Sequence, residues 1–150
     1  MDLLESIGLD PLDLNTVRQT PAASLAFVGD AVFDLYIRTV LLKKRPRVGS
    51  NVLNQEKIKY VKASMQANIA LTILPMLTEE EEAVLKRGRN TKSNTVPKNA
   101  KLSDYKYATG FEALLGYLML LGRDDRVREI LEHSLNICLG KEIEVKNDNE

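Results

Sequence analysis

SLAFVGDAVFDLYIR, residues 24–38, and ATGFEALLGYL, residues 108–118, each set one acid inside an otherwise apolar helical pattern. In the first stretch Leu25, Val28, Val32, Leu35 and Tyr36 recur at helical spacing. Thr20-Pro21 reads as its start, since Thr can cap and Pro suits the first helical position. The helix is expected to run to about Lys44. Working outward, Pro46 and Gly49 mark a loop. Ser50 then caps a second helix carrying Leu53, Ile58, Val61, Met65 and Ile69 up to Pro75. Thr78 with Glu81 makes a capping-box pattern for a short third helix ending near Gly88. A fourth helix is expected from about Asp104 to Leu121, stopped by Gly122. A fifth, amphipathic through Val127, Ile130, Leu131, Leu135 and Ile137, ends at Gly140. No strand is expected, so the fold class is all-α.

Asp30 and Glu112 are the acids at issue. A buried carboxylate is costly unless it is paired, hydrogen-bonded or metal-bound. Small residues surround each of them: Ala26, Gly29 and Ala31 around one, Gly110, Ala113 and Gly116 around the other. Glycine inside a helix costs on the order of 1 kcal/mol relative to alanine. That cost makes sense where two helices approach closely and their acids share a site. Magnesium takes hard oxygen ligands and keeps several waters, so two carboxylates plus phosphate oxygens can suffice. Spacing by itself leaves open the alternative that both acids pair with Lys or Arg, or point to water.

The chain has 150 residues, enough for one domain with a real core. Its 21 basic and 21 acidic side chains cancel, which taken alone argues against a nucleic-acid binder. The charges are segregated, however. From Arg38 to Lys62 there are eight Lys/Arg against one acid, Glu56; from Lys86 to Lys106 there are seven against Asp104. A basic face is therefore expected. Residues 89–103, RNTKSNTVPKNAKLS, form a long polar loop, and loops of this length inside domains are often functional. The single cysteine, Cys138, allows no intrachain disulfide and fits a reducing, cytoplasmic setting. The acidic start, MDLLESIGLDPLDL, reads as neither a secretory signal nor an Arg-rich presequence. The apolar run near Ala113 to Leu121 is too short to span a bilayer, so no membrane is expected as a partner. Residues 1–19 read as a lead-in, 20–140 as the functional domain, and 141–150 as a flexible tail.

SLAFVGDAVFDLYIR resembles the signature helix of the ribonuclease III family, in which a Phe-Leu-Gly-Asp core carries a catalytic aspartate. ATGFEALLGYL resembles that family's second acidic motif, where a glutamate precedes Ala-Leu-Ile-Gly. EEEEAVLKRGRNTKSNTVPKNA followed by YKYATGFEALLGYL is similar to the short branch, Mini-ribonuclease III, which lacks a separate double-stranded RNA-binding domain. The likeness covers about residues 20–137. It implies a ribonuclease III endonuclease-domain-like helical bundle that hydrolyses double-stranded RNA with Mg2+ (Mn2+ as a substitute). Asp30 and Glu112 fall on the catalytic, metal-holding positions. Larger members carry two further acids there, where this chain has Ala26 and Thr109. Asp34, one turn beyond Asp30, is a candidate outer acid for the metal shell; pairing with Arg38 at i+4 is its equal alternative. The resemblance also implies a homodimer about the signature helix, with Phe27 packing into the partner. The substrate it implies is the 23S ribosomal RNA precursor, with a large-subunit ribosomal protein assisting.

Lys86, Arg87, Arg89, Asn90, Lys92, Lys98 and Asn99 are the expected RNA contacts, since A-form RNA is read mainly through its backbone and minor groove. A solvated charged loop is the plain alternative. His133, outside both motifs, reads as surface or packing, and Cys138 as packing. Two rivals to a nuclease stand: a non-catalytic RNA-binding or ribosome-assembly module on the same fold, and a helical protein–protein adaptor. Asp30 and Glu112 speak against the first, while Ala26 and Thr109 speak mildly for it. The second leaves the basic loop unexplained.

Overall fold

The computed structural model describes residues 1–92 and 101–140. Eight α-helices and one 3-10 turn, with no strand, account for the regular structure of these residues. The expected flexible tail, 141–150, and the middle of the polar loop, with Lys98 and Asn99, lie outside the described residues.

The lead-in holds two short helices, α1 (Leu3–Ser6) and α2 (Leu14–Gln19). Both begin at an aspartate, Asp2 and Asp13, whose carboxylate accepts a hydrogen bond from a backbone N–H of the first turn. The signature stretch forms α3 (Ala22–Lys44). Thr20 is not its cap: the Thr20 hydroxyl donates to the Thr16 carbonyl in α2, and Pro21 precedes the first turn of α3 without a side-chain cap. The expected second helix is two, α4 (Ser50–Val61) and α5 (Ala63–Ile73). Lys62 is extended between them, at φ −61° and ψ 151°. Gln66, itself buried, reaches back across the break and donates to the Val61 carbonyl at 2.8 Å. Hydrophobic periodicity passes through such a break undisturbed, which is why the sequence reads as one helix.

A 3-10 turn (Leu74–Met76) leads to α6 (Glu79–Arg89). The Thr78–Glu81 capping box is present in full. Glu81 also has a second partner that its sequence position does not announce. It is 2% exposed, and Arg126 grips both of its carboxylate oxygens at 2.8 Å while donating to the Met76 carbonyl at 3.0 Å. This pair fastens the start of α6 to α8 (Asp124–Cys138). Between them lies α7 (Leu102–Leu120), buried nearly all round, with Phe111, Leu114, Leu115, Tyr117 and Leu118 closed to solvent. α7 is the axle of the bundle: α3, α5, α6 and α8 all pack against it. No helix among the described residues is long and apolar enough to cross a membrane.

The α3–α7 crossing is set by two glycines. A Cβ on Gly29 would lie 1.7 Å from the Glu112 carbonyl oxygen, and one on Gly116 would lie 1.9 Å from the Leu25 carbonyl oxygen. Each glycine thus receives the backbone of the other helix. Phe33 and Phe111 close the core below, edge to face with centroids 5.2 Å apart. A second close approach, between Gly88 and Gly110, sets α6 on α7; a Cβ on Gly88 would meet the Gly110 Cα at 2.8 Å.

Helix propensity alone would favour alanine at Gly29 by about 1 kcal/mol. The missing space outweighs that gain, so Gly29→Ala is expected to destabilise the protein by about 3 kcal/mol or more. Gly49→Ala, with nothing within 4 Å of the new methyl, is expected to stay within about 0.5 kcal/mol of the parent. Chemical denaturation of both variants checks this, and equal stabilities would contradict the packing argument.

Candidate active site

The crossing brings the two sequence-singled acids together. Asp30 follows Gly29 on α3, and Glu112 is the α7 residue whose carbonyl fills the Gly29 hollow. The Asp30 and Glu112 carboxyls are hydrogen-bonded to each other. Asp30 is exposed and lines an open cleft with Val28, Asp34 and Lys57; Glu112 is half-buried behind it. Burial, then the Asp30 carboxyl beside it, pushes the Glu112 carboxyl up to about 9. At neutral pH the pair therefore holds a proton between two oxygens that would otherwise repel.

The positions where two further acids were looked for hold none. Ala26 is buried in the core, and the Thr109 hydroxyl donates to the Tyr105 carbonyl at 3.0 Å. Asp34 lines the same cleft as Asp30, but its carboxylate is already held by Arg38 at 2.5 Å and by Lys57 at 3.3 Å. No cluster of three or more metal-ligating side chains occurs among the described residues. The acidic centre is a pair.

The basic residues at the end of α6 divide. Arg87 is a correction to the expected RNA contacts: its guanidinium donates to the Arg18 and Thr20 carbonyls, both at 2.9 Å, and closes the C-terminal end of α2. Carbonyls left over at a helix end need donors, and a charge run in the sequence gives no hint that one of its members serves a distant helix. Lys86 is paired with Glu82 one turn back at 2.6 Å. Arg89 rests over the Tyr107 ring, 5.7 Å from its centroid, and donates to the Asn90 side chain at 3.1 Å. Asn90 and Lys92 are exposed. His133 is half-buried on α8. Cys138 packs against the core, and burial pushes its thiol up to about 11, which keeps it protonated and inert.

Lys57 was missed in sequence. It stands on α4 across the cleft from Asp30. The only signal for it was the excess of basic residues between Arg38 and Lys62.

Comparison with known proteins agrees with this arrangement. The Ribonuclease III domain family matches residues 23–123. The Mini-ribonuclease 3 of a Thermoanaerobacter species is 50% identical over 113 residues, covering 75% of this chain and 79% of that protein. The Mini-ribonuclease 3 of Clostridium tetani is 45% identical over 121 residues, covering 81% and 80%. That of Brevibacillus brevis is 46% identical over 117 residues, covering 78% and 87%. A crystal structure of a protein from Fusobacterium nucleatum superposes with a TM-score of 0.72 at 31% identity, covering 80% of this chain and 95% of that one. With two paired acids at a glycine crossing and relatives matching over most of its length, the chain belongs to the ribonuclease III family of endoribonucleases, in its Mini-ribonuclease 3 branch.

Proposed function

We propose that this endoribonuclease cuts double-stranded RNA with a divalent metal held by Asp30 and Glu112. The observation that carries the reading is the contact between these two carboxyls across the α3–α7 crossing. Two carboxyls pressed together in a half-buried setting need positive charge between them. A proton supplies it in the free protein, and a divalent cation meets the same need. Carboxylate oxygens are the hard donors that Mg2+ and Mn2+ take, and two of them suit an ion that keeps several waters. When bound, the metal polarises a phosphate oxygen and lowers the pKa of a bound water.

The residues of the chain do the rest. Asp30, open to the cleft, meets the substrate side, while Glu112 anchors the pair from the helix axle. Arg89, Asn90 and Lys92 offer donors to phosphates and 2′-hydroxyls of an A-form duplex, as Lys98 and Asn99 of the same loop are proposed to do. Lys86 joins them once released from Glu82. Phe27 supports a homodimer: it is 81% exposed, and Ala31 and Leu35 continue an outward-facing stripe along α3. An apolar stripe of this kind marks an interaction surface. Two copies paired there would present two acidic centres related by a two-fold axis, one for each RNA strand. The proposed substrate is the 23S ribosomal RNA precursor in the cytoplasm, with a large-subunit ribosomal protein assisting. Family membership alone supports this finer assignment. The non-catalytic alternative draws on Ala26 and Thr109, and the same experiment separates the two.

Asp30→Asn and Glu112→Gln are expected to lose more cleavage of a long RNA duplex in Mg2+ than the roughly 10–100-fold typical of residues that only support a metal ligand. Both should still bind the duplex. Undiminished cutting by Asp30→Asn would sink the assignment. A pH dependence follows as well. Glu112 ordinarily titrates at 4.5 and here at about 9, so the folded protein holds more protons than the unfolded chain between those values. Stability in chelator should then fall as pH rises across that window, Glu112→Gln should remove this part of the fall, and Mg2+ should restore stability at its upper end. Thermal unfolding at a series of pH values with and without Mg2+ tests this; a melting temperature blind to Mg2+ at pH 8–9 would contradict it. Finally, Phe27→Glu should convert a dimer to a monomer by mass measurement in solution. A parent protein that is already monomeric would count against the two-strand arrangement.

A further inference from the structure

We propose that Lys57 is a substrate-positioning residue that grips an RNA phosphate at the mouth of the acidic cleft, with Asp34 holding its ammonium in place. The inference rests on the reading of this site as an RNA-cutting centre.

The cleft containing Asp30 is lined by two acids, Asp30 and Asp34, a few apolar groups, and one basic residue, Lys57. A phosphodiester carries a negative charge, so a cleft with acids and no cation would repel it. Lys57 is on α4, opposite the α3 acids, so that its charge faces them across the opening. Its side chain is only 18% exposed, which limits the rotamers it can reach. Yet its charge is not used up. Asp34 has a nearer partner in Arg38, at 2.5 Å against 3.3 Å for the Lys57 ammonium. One carboxylate between two cations leaves a unit of positive charge beside the cleft. The other ion pair between these helices, Arg45 with Glu56, leaves no comparable surplus.

A simple tie between α3 and α4 is the competing role. Exposed ion pairs of that kind contribute at most about 1 kcal/mol. The Arg45–Glu56 pair already joins the same two helices. A lysine ammonium is a compact charge with three donors, well suited to a phosphate whose exact orientation varies along a duplex.

The test is duplex binding by the full-length protein in chelator, where no cutting occurs, measured by fluorescence anisotropy over a range of KCl. Lys57→Met should weaken binding about three- to tenfold at low salt and flatten the log–log salt dependence by about one. Lys57→Arg should recover most of both. Asp34→Asn breaks the same ion pair but keeps the ammonium, so its salt slope should equal or exceed that of the parent. Melting temperatures of all three identify any variant that fails to fold, and for Lys57→Met the Lys57→Arg comparison then decides. An unchanged slope and affinity in Lys57→Met would overturn the proposal, as would equal losses in Lys57→Met and Asp34→Asn, the signature of a mere tie. A parent protein that neither binds nor cuts the duplex overturns the RNA reading itself, a failure recognisable without any variant.

Discussion

Two helix backbones touching at Gly29 and Gly116 form the contact on which the rest of the molecule depends. Peptide oxygens occupy the space where side chains would stand. Interior packing is crystal-like in density, so a gap of one methyl at this point is not a small change. The closeness also decides the chemistry. Carboxyls carried on α3 and α7 can only meet because the helices run this near to each other. Burial by α7's other neighbours then raises the proton affinity of Glu112 and makes the pair a receptor for positive charge. Packing and electrostatics have one geometric origin here.

The framework around that contact was legible in part. Long apolar periods gave α3, α7 and α8 to within two or three residues, because burial on one side of a helix, or on all sides, repeats with the helical turn. The glycines beside Asp30 and Glu112 pointed correctly to a close approach. The break at Lys62 was invisible, since one extended residue does not disturb an apolar pattern that resumes in phase. The short helices of the lead-in were missed for a different reason. They are held by aspartate caps and by docking, with Leu12 donating to the Leu120 carbonyl at 2.8 Å, and neither leaves an apolar period to read.

Charge was the least legible layer. A run of basic residues reads as one feature, but the fold divides it by task. Arg87 closes a helix end, Lys86 pairs with an acid one turn away, and Arg89 lies on an aromatic ring. Arg126 looks like one more surface arginine in an amphipathic helix, yet it neutralises the most deeply buried acid among the described residues. Which cation serves structure and which remains available depends on neighbours distant in sequence. Net neutrality of the whole chain says little about the field at any one place.

Glu112 occupies an unusual position in this scheme. Its main-chain oxygen seats the α3–α7 contact, and its side chain meets Asp30 at the surface of that contact. One residue is both hinge pin and reporter. A shift of either helix along the other would change the spacing of the two carboxyls and so the affinity with which they hold a proton. The infrared carboxyl band of a single glutamic acid is therefore a built-in strain gauge for the core, readable in the free protein without any label.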